Sequence, residues 1–87
     1  MSNYITNLKY APNFPGIYFL YQDYFLVYIG KSDSSIRRRL KEHLKYKSFN
    51  SFRFKFVPKG LCRNIEADEL RKYKKSQGCL PLYNQQQ

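Results

Sequence analysis

Two short runs of β-favouring side chains, residues 17–20 and 26–29, flank a polar centre at Gln22-Asp23, and this pattern predicts a β-hairpin. With the turn centred on Asp23, Tyr18 faces Tyr28. Alternation then places Ile17, Phe19, Val27 and Ile29 on one apolar face and both tyrosines on the other. A bulge in the loop moves this register by one residue. Ser32-Asp33-Ser34-Ser35 offers N-cap residues ahead of Ile36, Leu40 and Leu44, whose four-residue step predicts a helix running to about Tyr46. Phe52-Arg53-Phe54-Lys55-Phe56 alternates strictly and reads as a strand that sends three phenylalanines into the core, ended by Pro58-Lys59-Gly60. A second helix is expected over residues 61–77, its apolar line formed by Cys62, Ile65, Leu70 and Tyr73, with Gly78 stopping it. Residues up to about 13 read as an irregular lead-in, and Pro15 leads into the first strand. The order strand, strand, helix, strand, helix implies an α+β fold: a small three-stranded mixed sheet flanked by helices, one domain over residues 1–87.

Composition changes the picture in one respect. Sixteen Lys and Arg against six acidic residues give a formal charge of +10, so the expected partner is a polyanion, most simply nucleic acid. At 43% hydrophobic and 18% aromatic residues the chain can bury a core, which excludes a disordered basic tail. Cys62, Cys79 and the sole histidine, His43, cannot supply a four-ligand zinc site. Met-Ser-Asn begins neither a signal peptide nor a membrane span, and a cytoplasmic protein without a membrane partner is expected.

Helical spacing places Glu66 inside the apolar stripe of the second helix, where an unpaired carboxylate is costly. Glu69 lies about as close on the other side, and helical geometry alone does not choose between them. On the first helix Arg39 and His43 stand four residues apart and can act on a common object, whereas Arg37, Arg38, Lys41 and Lys45 spread over other faces and read as a solvated, phosphate-attracting surface. The tyrosine pair gains interest from its flanking Gly16 and Gly30 and from Lys31 just beyond.

These residues resemble the GIY-YIG nuclease family over nearly the whole stretch from Gly16 to Asn84. Gly16-Ile17-Tyr18 and Tyr28-Ile29-Gly30 match the two triplets literally. Lys31 matches the basic residue that follows, Arg39-Leu40-Lys41-Glu42-His43 the Arg-x-x-x-His helix, Ile65-Glu66 with Leu70 and Tyr73 the glutamate helix, and Pro81-Leu82-Tyr83-Asn84 the closing Pro-x-x-Asn. Five elements in order over about 70 residues make a specific signal. The chain departs from the family pattern at Glu69, usually aliphatic, and in a longer spacer before Pro81. A loop one residue longer after Gly30 makes Arg38 a rival to Arg39, and the four-residue step to His43 favours Arg39.

The resemblance implies a metal-dependent DNA endonuclease leaving 5′-phosphate and 3′-hydroxyl ends, with one Mg²⁺ (or Mn²⁺) per active site held by Glu66. One carboxylate is a poor cage for Mg²⁺, so weak binding without DNA is expected. Arg39 is implied to offset charge on the phosphate, and Tyr18 or Tyr28 to act as base, the other orienting it. An unperturbed tyrosine is only about 0.1% ionised at pH 7, a deficit of roughly 4 kcal/mol that Lys31 is expected to reduce. His43 is expected to bind phosphate or orient the site, and Asn84 to support its edge. Lys31, Arg38, Arg39, His43 and Asn84 are the implied nucleic-acid contacts. The size suits a monomer or weak homodimer that nicks or acts on single-stranded DNA. The alternatives are a basic nucleic-acid-binding module without turnover and a small RNA-binding protein.

Overall fold

The computed structural model describes residues 4–86. Strands β1 (Gly16–Gln22), β2 (Phe25–Ser32) and β3 (Ser51–Phe56) form one sheet in the order β2-β1-β3. Helix α1 (Ile36–His43) joins β2 to β3, and α2 (Cys62–Gln77) follows β3. The sheet is antiparallel at both pairings, where a mixed sheet was expected. β2 and β3 do run the same way, as a helical crossover requires, but β1 lies between them.

The hairpin turn explains a second difference. Asp23 (φ 52°) and Tyr24 (φ 71°) both adopt positive φ, the signature of a two-residue turn whose twist matches the strands. Asn50 clamps it, accepting from the Asp23 backbone N–H at 3.1 Å and donating to Asp23 Oδ1 at 2.9 Å. The turn is thus centred between Asp23 and Tyr24, and a bulge leaves Val27 unpaired between Leu20↔Tyr28 and Tyr21↔Leu26. Each feature moves the register by one. Tyr18 therefore pairs with Gly30 and Leu20 with Tyr28, yet the two tyrosines stay on one face as diagonal neighbours, ring centroids 6.2 Å apart. Val27 joins their face instead of that of Ile17.

Both faces of the sheet are covered, so the tyrosine face is core as well. Tyr18, Leu20, Val27 and Tyr28 pack with Ala11 of the lead-in, Ile36 and Leu40 of α1 and Phe52 of β3. Ile17, Phe19, Tyr21 and Ile29 pack with Val57 and Cys62, and Ile65, Leu70 and Tyr73 of α2 close that layer. Of the three phenylalanines of β3 only Phe52 is fully in the core. Phe54 is partly buried, and Phe56, at the strand end, is 59% exposed and leans edge-on against Phe14.

Ser35 caps α1, its side chain accepting from the Arg38 N–H. Ile36 and Leu40 are fully buried, each worth about 1.5–3 kcal/mol. The helix stops at His43 rather than Tyr46, because a tight turn follows in which Tyr46 and Lys47 both donate to the His43 carbonyl. That turn leaves Leu44 half exposed and puts His43 in the interior instead. Arg37, expected on a solvated face, anchors the lead-in: its ε N–H donates to the Ala11 carbonyl at 2.8 Å.

The chain closes through a 3-10 turn, Leu82–Gln86, against β2. Asn84 is buried there, accepting from the Ile29 N–H at 2.9 Å and donating to the Ile29 carbonyl at 3.0 Å, so its amide completes the open edge of β2 as a neighbouring strand would. Both polar ends are engaged, which removes Asn84 from the nucleic-acid contacts expected of it. Asn84→Ala strands two buried backbone groups and is expected to cost about 2–4 kcal/mol in urea unfolding. Among the described residues no helix is long and apolar enough to cross a membrane.

Candidate active site

β2 is an edge strand, so side chains from the two layers of the fold can meet around its rim. Tyr28 comes from the α1 layer and Glu66 from α2, and the two line one surface depression of about 440 Å³ together with Lys31, Asp33, Arg38 and Arg39. Gly30 makes the phenol pair possible. A Cβ there would lie 2.5 Å from the Tyr18 ring and 2.6 Å from Tyr28, so any side chain displaces both rings. Gly16 meets a different limit, since its Cβ would fall 2.2 Å from the Lys55 carbonyl oxygen on β3.

The two phenols are not equivalent. Tyr18 is fully buried, and its oxygen lies 2.6 Å from His43 Nε2 and close enough to the Arg39 guanidinium to feel its charge. Burial, reinforced by the adjacent Tyr28, drives its pKa well above the ordinary tyrosine value; Arg39 only partly offsets this. Lys31 is not among the charges that act on this phenol; it acts on Glu66. Tyr28 lines the depression and carries the Lys47 ammonium 4.8 Å over its ring centroid. Tyr28 is itself only 7% exposed.

Burial, with Lys47 and Arg39 nearby, lowers the pKa of His43 from 6.5 to about 4. The imidazole is therefore neutral at physiological pH, and its Nε2 is engaged with Tyr18. It is placed to orient that phenol rather than to hold a phosphate as a cation, which corrects one of its two expected roles. Stability follows with a definite sign. As pH falls from about 6.5 to about 4 the unfolded chain takes up a proton that the folded His43 refuses, so folding weakens over that window. His43→Gln is expected to show a shallower loss of Tm between pH 7 and pH 4.5 than the unaltered chain, measured by thermal unfolding.

Glu66 is half-buried at the rim. Burial raises its pKa, Lys31 and Arg39 pull it down, and Asp33 pushes it up again. Glu69, the rival that helical spacing left open, is bound to Lys55 of β3 at 2.7 Å and lines no part of the depression. Among the described residues no three His, Cys, Asp or Glu side chains cluster as a metal cage. The depression is basic and holds two carboxylates, Glu66 and Asp33, of which Asp33 is paired with Lys31. That suits Mg²⁺, which keeps several waters and takes further oxygens from a phosphate.

Arg38 and Arg39 divide as rivals do. Arg38 is exposed on the outer rim, donating to Ser34 Oγ at 2.7 Å, while Arg39 reaches Tyr18 and an ion pair with Glu42 at 3.1 Å. Lys31 pairs with Asp33 at 3.2 Å. Two site residues escaped sequence reasoning. Asp33 was legible only as part of a capping run, and Lys47 lies past the helix end, where no periodicity marks it.

Neither a family model nor a curated protein matches the sequence. Among solved structures the chain is similar to the N-terminal GIY-YIG endonuclease domain of UvrC from Thermotoga maritima, bound to its catalytic divalent cation, magnesium. The TM-score is 0.65 at 21% identity, over 87% of this chain and 89% of that one. A tyrosine-to-phenylalanine point mutant of the same domain, bound to its catalytic divalent cation, matches at the same score and identity over 87% and 88%. The fold expected from the two triplets is borne out: this chain has the GIY-YIG nuclease-like α+β fold.

Proposed function

On that fold, we propose that the protein is a metal-dependent endonuclease acting on DNA. One observation carries the reading: Glu66 on α2, Arg39 on α1 and Lys31 and Tyr28 on β2 line a single depression, although they lie far apart in the chain. A divalent cation held by Glu66 supplies Lewis-acid activation of the phosphate and stabilises the leaving oxygen. Lys31 and Arg39 add positive charge where the phosphate sits, and Arg39 offsets the charge that grows on its oxygens.

Tyr28 takes the proton from the attacking water. It is the phenol that reaches the depression, and the Lys47 ammonium lies above its ring. Tyr18 plays a positioning part beneath it. Its oxygen shares a 2.6 Å hydrogen bond with His43 Nε2 and lies within the electrostatic reach of Arg39, beneath the mouth of the site. Asn84 holds Ile29, one residue from Tyr28, and so keeps β2 in register at the same point.

The test is a cleavage assay with labelled single- and double-stranded DNA and RNA, each with Mg²⁺ or chelator. DNA cut only with the metal is the expected result. Binding without cutting under every condition favours a module without turnover, and metal-independent RNA binding alone favours the third reading.

A further inference from the structure

The site has a second side that the chemistry does not use. Arg39 also walls a neighbouring depression of about 310 Å³, completed by Glu42, His43, Lys45, Tyr46 and Lys47. Tyr46 stands on its rim and is 80% exposed, the most exposed large hydrophobic side chain among the described residues. Its backbone is nonetheless held. The Tyr46 N–H donates to the His43 carbonyl at 3.0 Å and that of Lys47 to the same oxygen at 2.8 Å. The Ser48 N–H donates to the Tyr83 hydroxyl at 3.1 Å. Lys47 bridges the rings of Tyr28 and Tyr83. A solvent-facing phenol ring on a held backbone, at a depression that Lys45, Lys47 and Arg39 also line, thus adjoins the proposed phosphate position through Arg39.

The Tyr46 ring belongs to neither core layer. An exposed ring at the rim of a basic depression suits one occupant: a nucleobase stacks on its face while Lys45, Lys47 and Arg39 meet the flanking phosphates. Bases of a duplex are already stacked on one another, so only an unpaired base is free to do this. We infer that Tyr46 is a stacking platform for an unpaired base beside the scissile phosphate, and that the preferred substrate is single-stranded, or unpaired next to the cut. This rests on the proposed nucleic-acid function, and it assigns a residue to substrate choice rather than to the reaction.

Fluorescence anisotropy in chelator tests it, with a labelled single-stranded DNA oligonucleotide and a blunt duplex of the same length as probes. Tyr46→Ala is expected to weaken single-strand binding about 5- to 100-fold and to leave duplex binding within about 2-fold, while Tyr46→Phe keeps the ring and stays near the unaltered chain. Tyr10→Ala, which removes another exposed ring bordering neither depression, is the control and should change nothing. Equal losses for both probes, or no loss, overturn the stacking role while leaving the nuclease reading intact. Failure of the unaltered chain to bind either probe removes both.

Discussion

Replacing Glu66 by Gln is expected to abolish Mg²⁺-dependent cleavage, by about 10³-fold or more, while single-strand binding persists. The carboxylate is the one acidic group placed beside Lys31 and Arg39 in the depression without an ion pair of its own. Asp33 is tied to Lys31 and Glu42 to Arg39. Lewis-acid stabilisation of a phosphoryl transition state is worth several kcal/mol, and each 1.4 kcal/mol is tenfold in rate. Glu69→Gln supplies the contrast. It breaks a half-exposed ion pair with Lys55 and should alter stability by less than about 1 kcal/mol, with cleavage near that of the unaltered chain. Single-turnover rates of the two variants check this, and the reverse order would transfer the cation to Glu69.

The second large effect separates the two phenols. Tyr28→Phe removes the proposed base and should lower single-turnover cleavage by about 10²–10⁴-fold, with the pH dependence of the rate flattened on its rising limb. Tyr18→Phe acts differently. It leaves buried His43 Nε2 without the Tyr18 hydroxyl, so it is expected to cost about 1–3 kcal/mol of stability and to reduce the rate less, with the rising limb retained. If Tyr18→Phe is the slower enzyme and is the one that loses the limb, the base is Tyr18 and the buried phenol must become exposed during turnover.

The elements of this fold were legible because their periods are plain: alternation at Phe52-Arg53-Phe54-Lys55-Phe56, and the four-residue step from Ile36 to Leu40. The hairpin register was not. It depends on positive φ at Tyr24, a residue type that ordinarily avoids it, and on a bulge at Val27 that alternation cannot reveal. Leu44 continued the helical stripe on paper, but the turn to Lys47 ended α1 early and exchanged Leu44 for His43 as the buried residue. What separates Glu66 from Glu69 is a tertiary matter: Lys55 reaches across from β3 to pair with Glu69, while Glu66 lines the depression. Gly30 shows the opposite case, where the motif residue and the packing that demands it coincide.

Charge follows the same division. The total of +10 pointed to a polyanion, but it did not say which cations face the site and which hold the chain together. Arg37 ties down the lead-in and Lys55 neutralises Glu69, whereas Lys31, Arg39 and Lys47 gather around Tyr28. Equal charges on one surface thus do unequal things.

Everything rests on a divalent cation residing beside Tyr28, and paramagnetic broadening by Mn²⁺ locates it most directly. With isotope-labelled protein and a bound oligonucleotide, backbone resonances of Tyr28, Lys31, Ser32 and Glu66 should broaden first, Tyr10 should stay sharp, and Glu66→Gln should erase the pattern. Broadening centred on the Asp23 turn or on Glu69, or no localised broadening at all, would contradict the site.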